Sequence, residues 1–69
     1  MEIVYSSHSM KRMKQRGISE LEVEHTLEHP FYIKKTIEGL KEAVGTVQSR
    51  TVKVIYDETE NYINIVTVM

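Results

Sequence analysis

Sixty-nine residues make one domain, and a chain of this size buries only about 60% of the surface its unfolded form exposes, so its stability margin is thin. The absence of cysteine removes disulfides and the strong zinc patterns as compensation, which leaves self-association as the expected remedy. Nine Lys and Arg against ten Asp and Glu give a net charge of −1, which argues against broad nonspecific binding to nucleic acid.

From the N-terminus, Met1 to Ser6 alternates weakly and reads as a short extended segment with Ile3 and Tyr5 to one side. A helix is expected over 8–16, capped by Ser6 or Ser7 and ended by a left-handed Gly17. Ser19-Glu20-Leu21-Glu22 matches a capping box and opens a second helix over 20–29, which Pro30 stops. The short connection requires a sharp turn, with Met10, Met13, Ile18, Val23 and Leu27 forming a shared apolar seam. Val23, Thr26 and Leu27 form the inward stripe of the second helix.

From Phe31 the period becomes alternating, and four strands are expected over 31–38, 41–48, 51–57 and 62–68. Tight turns make them an antiparallel meander. The fold class is thus α+β, with two N-terminal helices on one face of a four-stranded antiparallel sheet and a single domain over 1–69. Pairing Tyr56 with Ile63 puts Val52, Val54, Tyr56, Ile63, Ile65 and Thr67 under the helices. The other face then carries Ile55, Tyr62, Val66 and Val68, apolar enough to predict a homodimer or another partner through that open sheet face. No apolar run approaches a membrane span, and the N-terminus lacks the pattern of a signal peptide, so a cytoplasmic protein is expected.

Charge is segregated by element. Lys11, Arg12, Lys14 and Arg16 lie in the first helix, and Glu20, Glu22, Glu24 and Glu28 in the second. His8, Arg12 and Arg16, at four-residue steps, share one stripe. The helix dipole and the two arginines favour a neutral imidazole at His8, able to accept a proton, while guanidinium groups hold a phosphate by two-pronged hydrogen bonds. RNA cleavage needs this pairing. A base removes the 2′-hydroxyl proton, the oxygen attacks the adjacent phosphorus, and the arginines stabilise the added negative charge without a metal. Tyr56 and Thr67, on the expected helix-facing side, supply hydroxyls to orient or protonate a phosphate oxygen. The bland alternative is that Arg12 and Arg16 pair with carboxylates as a brace.

Glu22, His25 and His29 share the outer face of the second helix, but no Cys or nearby Asp completes a ligand set, and neither a metal nor a cofactor is expected. The acidic turn 57–61 lacks the glycine and spacing of a calcium loop.

The run from His8 through Arg12 and Arg16 to Gly17-Ile18-Ser19, with Val23, Leu27, Pro30, Val54-Ile55-Tyr56 and Ile65-Val66-Thr67-Val68, resembles a family of small bacterial and archaeal domains of unknown function. That family is in turn similar to the metal-independent ribonucleases that include barnase and the RelE-type toxins. The resemblance implies helices on a four-stranded antiparallel sheet, His8, Arg12 and Arg16 as site residues with Tyr56 and Thr67 in support, RNA as substrate and an antitoxin-like protein partner. The competing expectation is a noncatalytic binding or regulatory module that keeps the fold and dimerises.

Overall fold

The structure, a computed structural model, describes residues 2–69; Met1, part of the expected N-terminal extended segment, lies outside them. Five strands and two helices follow one another as β1 (Glu2–Tyr5), α1 (Ser7–Arg16), α2 (Glu20–Glu28), β2 (Tyr32–Lys35), β3 (Lys41–Val47), β4 (Arg50–Glu58) and β5 (Tyr62–Val68). The strands form one sheet in the order β1-β5-β4-β3-β2. The α+β class and both helices agree with the sequence, but the sheet is five-stranded and mixed, not a four-stranded antiparallel meander. The N-terminal segment is itself a strand, parallel to β5, with Ile3 beside Ile63 and Tyr5 beside Ile65. Long-range pairing of this kind leaves no local turn signal, which is why the segment reads so weakly in sequence.

The local signals of the helices hold. Ser6 caps α1, its hydroxyl accepting from Ser9 N at 3.0 Å. Ser19 and Glu22 form the expected capping box. Gly17 sits at φ 65°, and Ile18 N donates to Met13 O at 2.9 Å, the long bond of a Schellman motif. Met13, Ile18 and Val23 join the core with Val52, Val54, Tyr56, Ile65 and Val68, and Leu27 packs at its edge. Met10, expected in the seam, is 58% exposed instead. The inward direction of α1 is set by Ser9 and Met13; Ser9 is fully buried because its hydroxyl donates to Ser6 O at 2.8 Å. α1 lies against β5, and α2 against β3 and β4. Gly45 makes that second approach possible, since a Cβ there would stand 3.4 Å from both Thr26 Cγ2 and His29 O.

β2 is shorter than expected because the turn begins at Thr36, whose hydroxyl accepts from Leu40 N at 3.1 Å and whose carbonyl accepts from Gly39 N at 3.1 Å. In the last hairpin Thr59 Oγ1 accepts from Asn61 N and Tyr62 N, tightening the turn. Tyr56 therefore pairs with Ile65, not Ile63, which faces Glu58. A two-residue difference keeps every face. The bulge does not: Ile55 pairs with Thr67 and Tyr56 with Ile65, leaving Val66 as the extra residue. Val68 consequently enters the core, and Thr67 moves to the open face beside Ile55, reversing the expectation for both. Val44 and Ile55 are buried too, yet lie outside the core cluster, as expected of residues on the open face.

Candidate functional site

The C-terminal end of α1 organises the candidate site. A Schellman ending leaves carbonyls without helical partners, and Arg50, the first residue of β4, reaches them: Nη1 donates to Arg16 O at 3.2 Å and Nη2 to Gly17 O at 2.7 Å. The same Nη2 lies 2.9 Å from Glu22 Oε2. Glu22 thus caps α2 through one oxygen and binds Arg50 through the other. The Ser19 backbone N–H, followed by Arg50, holds the Glu22 carboxyl below the usual carboxylate range. Arg50 is therefore spent on structure, with its charge balanced.

Arg12 and Arg16 are not. The ion pairs among the described residues are Lys34–Glu42, Lys41–Glu58 and Arg50–Glu22, and none includes either arginine. Both line an open groove of about 500 Å³ together with Gln15, Ile18, Arg50, Thr51 and Met69. His8 lies in an adjoining hollow of about 210 Å³ with Lys11, Arg12 and Gln15. Arg12 and Gln15 belong to both, so His8, Arg12 and Arg16 line one continuous basic surface. The brace expected under the bland alternative is absent for Arg12 and Arg16 among the described residues.

Tyr56 and Thr67 stand apart from it. Tyr56 is buried beneath the helices, between Lys41 and Glu58 in charge, and burial raises its phenol above the ordinary range. Thr51, at the groove, is five residues away along β4, or about 17 Å at the rise of a strand. Thr67 is on the opposite face of the sheet, its buried hydroxyl without a partner among the described residues.

Gln15 and Arg50 are the site residues not singled out in the sequence. Gln15 follows from helical spacing, being seven residues after His8 and three after Arg12. Arg50 carries no such signal, because only the tertiary fold brings a hairpin residue to the end of α1. On α2, the His25 and His29 rings sit 5.1 Å apart between centroids, while Glu22 is engaged by Ser19 and Arg50. Among the described residues no group of His, Asp and Glu is arranged to hold a metal ion, and no helix is long and apolar enough to cross a membrane.

The arrangement can hold an oxyanion such as a phosphate between two unpaired guanidinium groups, with an imidazole one helical turn away and Gln15 as a neutral hydrogen-bonding group. A small α+β domain with such a surface is what fold and site together define. The chain belongs to the family described as a domain of unknown function (DUF4258), whose model matches residues 5–69. Comparison with curated proteins and with solved structures finds no match.

Proposed function

We propose that this domain is a toxin-like, metal-independent ribonuclease, of the RelE and barnase type that the α1 motif resembles. The observation that carries the reading is that Arg12 and Arg16 have no carboxylate partner among the described residues and share a groove adjoining His8. Single-stranded RNA lies along α1 with a phosphate between the arginines. His8 takes the 2′-hydroxyl proton, the 2′-oxygen attacks phosphorus, and the bond to the 5′-oxygen breaks as that oxygen takes up a proton from water, leaving a 2′,3′-cyclic phosphate and a free 5′-hydroxyl. The two guanidinium groups offset the charge that builds on the phosphoryl oxygens. Gln15 replaces Tyr56 and Thr67 as the hydrogen-bonding support. The cytoplasm, where such RNA is met, and an antitoxin-like partner that covers the basic surface belong to the same proposal.

The test uses the attacking group itself. RNA carrying a single 2′-deoxy nucleotide at the cleavage position resists the protein, while the all-ribo strand is cut; equal cutting of both overturns the mechanism.

The noncatalytic, dimeric module is the second reading, favoured by the exposed apolar side chains along β2.

A further inference from the structure

Four of the eight large apolar side chains exposed among the described residues fall within residues 31–37, on one edge strand and its turn. Phe31 is 71% exposed, Tyr32 46% and Ile33 48%, and Ile37 is fully open. β2 ends the sheet, so one row of its backbone groups has no neighbouring strand. Which row follows from the ladder. Thr36 N donates to Leu40 O at 2.8 Å, and alternation along an antiparallel pair turns Tyr32 and Lys34 toward β3 and the N–H and C=O of Ile33 and Lys35 outward.

We propose that β2 pairs antiparallel with β2 of a second copy of this chain, about a two-fold axis at Ile33, joining two sheets into one of ten strands. The segment Phe31-Tyr32-Ile33-Lys34-Lys35 is self-complementary in that register and in no neighbouring one. Ile33 meets Ile33 of the second copy, Tyr32 meets Lys34, and Phe31 meets Lys35, so each lysine lies across from an aromatic ring. An axis at Lys34 or Lys35 would set like charges face to face, and one at Tyr32 would rest both central hydrogen-bonded pairs on Phe31, whose N–H already donates to Val44 O at 2.6 Å. Only outward-facing residues can exchange the hydrogen bonds of a narrow pair, and Ile33 is one of them. Self-complementarity is what a two-fold contact requires and what a strand from an unrelated protein would not need. Lysines on an edge ordinarily deter pairing; here they select its register, with Lys34 also 3.7 Å from Glu42 on its own chain.

The contact replaces the open sheet face as the site of self-association, since Val44 and Ile55 on that face are already buried within one chain. It is independent of the ribonuclease reading, because α1 lies against β5, away from β2.

Sedimentation at several concentrations, together with two variants of the full chain, tests the proposal. The native protein approaches twice the chain mass as concentration rises. Ile33→Pro removes an outward N–H without touching the ladder to β3, so this variant falls to the single-chain mass with a native circular dichroism spectrum. The chain has no cysteine, and Ile33→Cys therefore reports register: under mild oxidation it forms a covalent dimer, Cα atoms across a narrow pair being about 5.5 Å apart, whereas Lys34→Cys does not. A native protein that stays at the single-chain mass overturns the proposal and leaves the edge to a strand of another protein. A folded Ile33→Pro variant that remains dimeric, or cross-linking through Lys34→Cys in place of Ile33→Cys, overturns it as well.

Discussion

Arg50 and Glu22, twenty-eight residues apart, meet at 2.9 Å and bind the start of β4 to the start of α2. Because Arg50 also holds the carbonyls of Arg16 and Gly17, one side chain fixes the end of α1 against the hairpin that walls the basic groove. Glu22 is held below the ordinary carboxylate range, so its contribution is complete at neutral pH, where it is ionised in both folded and unfolded chains, and is lost as pH falls through its folded value. Glu22→Gln keeps the capping box but loses the charge facing Arg50. Its melting temperature should lie below that of the native protein at pH 7 and converge with it in acid; parallel melting curves across that range would contradict the linkage.

The alkaline limb has a different origin. Tyr5 is pushed up to about 12, first by burial of its phenol and then by Glu20 and Glu24. An unfolded tyrosine ionises near its ordinary value of 10.0, so the neutral phenol of the folded chain stabilises fully below that pH, and the gain is lost between 10.0 and about 12. Thermal melts over this window should show Tyr5→Phe losing less stability than the native protein. A Tyr5→Phe curve with the same alkaline slope would show that Tyr5 does not carry the effect.

The bulge in β5 makes opposite predictions for adjacent residues. Val68→Ala should destabilise by about 2 kcal/mol, because it opens a cavity in the core. Thr67→Val removes a buried hydroxyl with no partner and should be neutral or stabilising by about 1 kcal/mol. Urea titrations of both variants check this, and the reverse order would restore the unbulged register.

Position 17 tests the helix ending. Gly17→Ala puts a side chain on a left-handed backbone, and the expected cost is roughly 1–2 kcal/mol, with nothing within 4 Å to add a clash. The same variant loosens the carbonyl held by Arg50, and under the proposed ribonuclease function RNA cleavage should weaken with it. Unchanged stability would mean that the helix can end another way.

Much of this was legible in the sequence wherever the signal was local. The Ser19–Glu22 capping box, the left-handed Gly17 and the polar stripe from His8 to Arg16 need only spacing along one element. β1, the Val66 bulge and Arg50 were not legible, for a shared reason. Each depends on which distant backbone lies alongside, and Ile63, Ile65 and Val68 betray the bulge only in that their apolar spacing lengthens from two to three. The same shift explains why Thr67 left the expected site, while Tyr56 kept its face but lies too far along β4.

Cleavage of end-labelled single-stranded RNA in excess chelator tests the central claim most directly, with native protein, His8→Ala, Arg12→Ala, Arg16→Ala and Tyr56→Phe prepared alike. Loss of the proton acceptor should cost about 10²–10⁴-fold in rate. The arginine variants should be strongly impaired, Tyr56→Phe should stay within a few-fold of the native protein while folded, and the product should carry a 2′,3′-cyclic phosphate. No cleavage by native protein, or cleavage that survives His8→Ala and Arg12→Ala, would contradict the account.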